Sequence, residues 1–148
     1  MVNDDKLKIA DLAYSKQLFE EISMSKLHVM VEYTGPKYLF DPVNYKLDMR
    51  SDIYSLGILL WELSSGYLPY SKLQQSYNQL RYNILDGLRE EPVENTPIQY
   101  QQLYQKCWKD PDQRPNIFEV FDQLKLDIGM FKLFTYLFRW FNINISQK

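Results

Sequence analysis

The sequence predicts a mainly α domain, and three features carry that prediction. Residues 52–64, Asp-Ile-Tyr-Ser-Leu-Gly-Ile-Leu-Leu-Trp-Glu-Leu-Ser, are apolar on nearly every helical face, which places a helix at a protein's centre. Residues 72–86 set Leu73, Tyr77, Leu80 and Ile84 at helical spacing, with Gly87 at the stop position. Two further helix starts carry cap residues, at Thr96-Pro97-Ile98-Gln99 and at Asn116-Ile117-Phe118-Glu119.

In chain order, Leu7-Lys8-Ile9-Ala10 alternates weakly and reads as a short strand ending at Asp11. Residues 14–50 hold no clean period and contain Gly35, Pro36 and Pro42, so they read as a long loop with one helical turn; such loops are functional or disordered. Ser51 or Asp52 is expected to cap the central helix, and Gly66 to end it in a left-handed turn. The helix from Thr96 presents Tyr100, Leu103, Tyr104 and Cys107 on one face. The helix from Asn116 presents Ile117, Val120, Phe121, Leu124 and Ile128. Loops are expected at 66–71, 87–96 and 109–115.

The bulk numbers exclude several classes. A chain of 148 residues is long enough for one domain with a real core. Its net charge of −2 shows no basic bias, so no nucleic acid partner is expected. Cys107 is the only cysteine and His28 the only histidine, which rules out an internal disulfide framework and argues against a zinc site. Cys107 falls on an apolar helix face and reads as core; His28 reads as a solvated loop residue. Asp4-Asp5 and Glu90-Glu91 read as solvated pairs rather than acid/base dyads. The polar, acidic N-terminus is no secretory signal, and no apolar run reaches membrane-spanning length, so the expected location is cytoplasmic.

Short motifs in a fixed order add what periodicity does not. They are Lys8-Ile9-Ala10-Asp11-Leu12-Ala13, Gly35-Pro36-Lys37-Tyr38-Leu39-Phe40-Asp41-Pro42, the run from Arg50 through Leu63, Gly66-Tyr67-Leu68-Pro69-Tyr70, and Cys107-Trp108-Lys109-Asp110-Pro111-Asp112-Gln113-Arg114-Pro115. Together they resemble the C-terminal lobe of a protein kinase catalytic domain, of the group that contains tyrosine kinases and tyrosine-kinase-like serine/threonine kinases. The first resembles the strand and magnesium-binding Asp-Phe-Gly turn. The second resembles the end of an activation segment, the third the central buried helix, and the last a late signature of the group. The resemblance implies a partial kinase domain over residues 1–128, running from the activation segment through four or so helices with no N-lobe. Residues 129–148 lie outside the pattern.

The activity so implied is ATP-dependent phosphoryl transfer to protein Ser, Thr or Tyr hydroxyls, achieved by positioning and charge neutralisation. Asp11 is the candidate for binding Mg2+ on the ATP phosphates; its other reading is a turn cap. Leu12 replaces phenylalanine, and Ala13 replaces glycine, which removes backbone freedom from the turn. In the family Asp52 caps amides of the catalytic loop; here the helix N-cap reading is preferred. Arg114 pairs in the family with the glutamate of an Ala-Pro-Glu motif. That position is read as Val43 here, which leaves Arg114 partly exposed or re-paired, with Asp41 as a candidate.

Residues 1–148 hold no Gly-rich loop, no strand lysine and no catalytic-loop aspartate, so no catalytic set is complete. The resemblance thus brings ATP and Mg2+ as cofactors of the lineage, while this chain alone is expected to bind neither and to be inactive. Its partners are expected to be proteins. The alternative is a non-catalytic interaction module in which the activation segment and the 72–86 helix hold a protein. Residues 130–141 form a broad aromatic face with a polar stripe of Lys132, Thr135 and Arg139. They read as a cover over apolar surface of the lobe, as a membrane-interface helix, or as translated non-coding sequence.

Overall fold

The computed structural model describes residues 2–3, 6–7 and 30–126. Val2–Asn3 (β1) pairs antiparallel with Lys6–Leu7 (β2), Val2 opposite Leu7 and Asn3 opposite Lys6. The strand expected at residues 7–10 meets this ladder only at Leu7. Asp11, His28 and the 129–148 tail lie outside the described residues.

Between Val31 and Leu126 the regular elements are all helical. A 3-10 turn at Val31–Tyr33 precedes α1 (Pro36–Phe40), α2 (Met49–Ser65), a 3-10 turn at Ser71–Leu73, α3 (Tyr77–Leu85), α4 (Ile98–Cys107), a 3-10 turn at Pro111–Gln113 and α5 (Ile117–Leu126). No helix among the described residues is long and apolar enough to cross a membrane.

The central helix starts three residues before the expected position. Its N-cap is Asp48, neither Ser51 nor Asp52. The Asp48 carboxylate accepts the Arg50 and Ser51 N–H groups, and the Ser51 hydroxyl accepts the Asp48 N–H in return. Asp52 lies one turn in, where a negative charge favours the positive end of the helix dipole. Gly66 ends the helix as expected, at φ 70°, with its N–H on the Glu62 carbonyl.

The helix expected at 72–86 begins only at Tyr77, where the Ser76 hydroxyl accepts the Gln79 N–H. Tyr70 and Gln74 both take left-handed backbone around the 71–73 turn, and no helix runs through such residues. Leu73 and Tyr77 are therefore exposed, and only Leu80 and Ile84 of the expected face are buried. In α4 all four expected residues, Tyr100, Leu103, Tyr104 and Cys107, are buried. Its start differs in detail: Pro97 stands at the cap, and the Gln101 amide donates to the Val93 and Thr96 carbonyls. At α5 the Asn116 oxygen accepts the Phe118 and Glu119 N–H groups while Glu119 accepts the Asn116 N–H, the reciprocal cap that the sequence predicts.

Two apolar clusters hold the helices. The larger joins Ile53, Tyr54, Ile58, Leu60 and Trp61 of α2 to Tyr100, Leu103, Tyr104, Cys107 and Trp108 at α4, with Val120 of α5. The smaller joins Val31, Leu39, Tyr70, Leu80 and Ile84. α2 is the centre, as its all-round apolarity predicts, although Leu59 on its remaining face is 45% exposed. α2 and α4 meet closely at Gly57, where a Cβ would stand 2.5 Å from Cys107 Cβ and 2.9 Å from the Trp108 ring.

Burial pushes the Cys107 thiol up to about 12, so it carries almost no thiolate near neutral pH. Cys107 should resist a thiol reagent such as dithiobisnitrobenzoate in the folded chain and react fully in denaturant. Rapid native-state reaction would place α4 outside the core.

Candidate functional site

The motif that closes the described domain is a staple between two helix ends. Cys107 and Trp108 finish α4 inside the core. Asp110-Pro111 then turns the chain, with Pro111 buried at the start of the 3-10 turn. Asp112 pairs with Arg50 at 2.5 Å, and Arg50 also pairs with the α2 cap Asp48 at 2.7 Å. Burial works against the Asp48 carboxylate, but the hydrogen bonds and charge of Arg50 outweigh it and hold Asp48 below the ordinary carboxylate range. These pairs are largely exposed, so they specify geometry more than they stabilise.

Arg114 completes the staple. Its Nε donates to the Lys109 carbonyl at 2.7 Å and its Nη1 to the Arg50 carbonyl at 2.7 Å. The guanidinium lies 5.1 Å from the centroid of the Tyr54 ring, and Arg89 approaches the same ring at 5.6 Å. Burial pushes the Tyr54 phenol above its ordinary value, against the pull of Arg89 and Arg114. Arg114 is thus half-buried and re-paired, as the sequence allows, but Asp41 is not among the partners given by its hydrogen bonds. The Asp41 carboxylate accepts the Asn44 backbone N–H at 3.0 Å and the Asn44 side-chain amide at 2.9 Å, which hold it below the usual range. The residue of the 31–41 segment that lies against Arg114 is Gly35: a Cβ there would be 3.4 Å from Nη2 and 3.6 Å from the Tyr54 ring.

The segment around Gly35 is tied down on both sides. The Ser55 hydroxyl of α2 donates to the Tyr33 carbonyl at 2.8 Å, and the Tyr33 hydroxyl donates to Glu62 at 2.7 Å. Burial, then Glu62, raises the Tyr33 phenol well above its ordinary value. Pro36 opens α1, whose Tyr38 and Leu39 point inward. From the other side Arg81 of α3 donates twice to the Leu39 carbonyl, at 3.1 and 2.5 Å. Sequence reasoning missed Arg81, because its partner is a backbone carbonyl that no side chain advertises.

Between α1 and α3 runs an open groove of about 1110 Å³, lined in part by Lys37, Phe40, Asp41, Tyr45, Arg81 and Tyr82. Phe40 and Tyr82 are 76% and 62% exposed. Glu90, read from the sequence as one of a solvated pair, instead accepts the Tyr70 N–H. Desolvation raises its carboxyl above the ordinary value despite that bond. Among the described residues no group of His, Cys, Asp and Glu is arranged to hold a metal ion. Of the residues singled out from the sequence, the structure places Asp52 and Arg114 near the start of α2 and leaves Asp11 outside its description.

Sequence comparison finds similar proteins over most of the chain. The family model described as protein tyrosine and serine/threonine kinase matches residues 1–124. The tyrosine-protein kinase transforming protein Fps of avian sarcoma virus (strain PRCII) is 38% identical over 124 residues, which is 80% of this chain and 22% of that protein. The insulin receptor of Xenopus laevis is 33% identical over 134 residues, 86% of this chain and 10% of the receptor. The probable serine/threonine-protein kinase roco8 of Dictyostelium discoideum is 31% identical over 124 residues, 82% of this chain and 6% of that protein. The chain spans about a fifth or less of the length of these relatives.

Proposed function

The chain belongs to the protein tyrosine and serine/threonine kinase family, and from that premise we propose that it is a C-terminal-lobe portion of a kinase domain that does not catalyse as residues 1–148. The lineage activity is ATP-dependent phosphorylation of protein hydroxyls. The observation that carries the reading is the staple of Arg50, Asp112 and Arg114, which joins the group's late motif to the start of the central helix. Arg114 acts as a structural anchor there, with the Tyr54 ring and two carbonyls as its ligands in place of a glutamate. Asp52 supports the same corner from the first turn of α2.

Phosphoryl transfer needs phosphate-cradling backbone, a lysine, metal-binding groups and a residue orienting the hydroxyl, all placed at once. Asp11 is the candidate metal ligand that the resemblance supplies, and isolated members of such a site retain little of the whole. Where the rest of a kinase domain is supplied, Asp11 would contribute a carboxylate toward Mg2+, which neutralises phosphate charge. Purified residues 1–148 should transfer no phosphate from radiolabelled ATP to tyrosine, serine or threonine peptides, and Asp11→Asn should behave identically. Transfer that Asp11→Asn abolishes would overturn the reading.

The groove between α1 and α3 favours a second reading, a protein-binding module. Phe40 and Tyr82 at its rim are large, rigid and exposed, the residue types that anchor interfaces.

A further inference from the structure

We infer that the groove between α1 and α3 receives an extended segment of a partner protein, whose basic side chain meets Asp86, whose acidic side chain meets Lys37, and whose apolar side chain lies against Phe40 and Tyr82. The inference rests on the protein-binding reading and names the chemistry of the partner. At about 1110 Å³ the open groove exceeds the roughly 300–1,000 Å³ of small-molecule pockets. Its charged lining residues are Lys37 and Arg81 against Asp41 and Asp86, which cancel. A groove without net charge selects neither nucleic acid nor an anionic lipid surface. Mixed charge beside exposed aromatic rings suits a peptide.

Two of the four charges are already engaged. The Arg81 guanidinium donates to the Leu39 carbonyl, and the Asp41 carboxylate accepts from Asn44. The side chains of Lys37 and Asp86 make no hydrogen bond or ion pair among the described residues. Asp86 is also poorly placed for its own helix. It is the C-cap of α3, where the helix dipole opposes a negative charge. The last turn of α3 holds no basic residue to offset it. A cation carried by the partner relieves that opposition, so charge complementarity assigns the basic side chain to Asp86 and the acidic one to Lys37. Phe40 ends α1 and Tyr82 stands in α3, and both rings are exposed. An apolar side chain laid against them removes that surface from water, the anchoring contact that dominates interfaces.

The test selects phage-displayed random decapeptides against the immobilised whole chain. The inference expects enriched peptides that share a basic, an acidic and a large apolar residue. Lys37, Phe40 and Asp86 are all exposed, so their substitution leaves the core intact. For the most enriched peptide, synthesised and titrated in solution, Asp86→Lys, Lys37→Glu and Phe40→Ser should each weaken binding roughly tenfold or more. Replacing the peptide's basic residue with glutamate should restore binding to Asp86→Lys and not to Lys37→Glu, a charge swap that a merely structural effect does not reproduce. Enriched peptides of a single charge sign would overturn the inference. Enriched peptides whose binding ignores all three substitutions would overturn it while leaving a protein-binding surface elsewhere on the domain. With no enrichment, the inference and the protein-binding reading fall together. Self-association that Phe40→Ser abolishes, without peptide binding, marks a second copy as the occupant and also overturns the inference.

Discussion

Replacing Trp61 with alanine lowers the stability of the chain by about 3–5 kcal/mol, the range for removing a large aromatic from a packed core. Trp61 is 6% exposed and sits in the larger cluster beside the residues of α4. Its Nε1–H also donates to the Glu91 carbonyl at 2.8 Å, which ties the 88–97 connection to α2. The substitution therefore opens a cavity and strips a carbonyl of its donor. For a domain whose total stability is on the order of 5–15 kcal/mol, this loss alone approaches unfolding. Trp61→Phe keeps most of the volume and loses the donor, so it should cost only about 1–2 kcal/mol. Urea unfolding of both variants measures the difference. Equal midpoints for Trp61→Ala and the unsubstituted chain would place the core elsewhere.

Gly57→Ala tests the α2–α4 contact through the sign of its effect. In an exposed helix interior this change stabilises by about 1 kcal/mol, because glycine loses more backbone entropy on folding. At residue 57 the new Cβ would meet Cys107 Cβ at 2.5 Å and Trp108 ring atoms at 2.9 Å. The Cys107 Cβ is fixed to the α4 backbone and cannot swing away, so the two helices must part. Overpacking of this kind costs typically about 1–3 kcal/mol, occasionally more. Contacts this short put the cost at the upper end, so the expected net result is destabilisation by about 2 kcal/mol for alanine, which lowers the thermal midpoint by roughly 4–8 °C per kcal/mol. Gly57→Leu should prevent folding. A rise in midpoint with alanine would show that the helices do not approach as closely as described.

The sequence made the centre of the fold legible and obscured its edges. α2 was readable because an all-round apolar helix fits only in a core, and α4 because Tyr100, Leu103, Tyr104 and Cys107 repeat at helical spacing. The α2 cap was missed because the Asp48 box closes with the hydroxyl of Ser51 where a glutamate or glutamine is the usual signal. The start of α3 was missed because left-handed Tyr70 and Gln74 break the helix without a glycine to announce it. Tyr70 is instead held by tertiary contacts, burial in the smaller cluster and a bond from its N–H to Glu90.

The site was legible as a motif but not as a set of partners. Cys107 through Pro115 marked the family, and Arg50 and Asp112 meet although 62 positions separate them. No sequence rule pairs those two, because the meeting depends on how α4 lies against α2. The partners of Arg114 and Arg81 are carbonyl oxygens of Arg50, Lys109 and Leu39, whose positions are set by the fold and not by side-chain identity. Asp41, the partner suggested from the sequence, is not among the hydrogen-bond partners of Arg114. Gly35, six residues earlier than Asp41, is the residue that lies against Arg114.

The central claim is that residues 1–148 keep the architecture of a kinase lobe without its nucleotide site. Calorimetric titration of the folded chain with Mg-ATP tests it most directly. The account predicts no saturable heat up to millimolar nucleotide, with the same flat response from Asp11→Asn. Saturable micromolar binding that Asp11→Asn abolishes would contradict it.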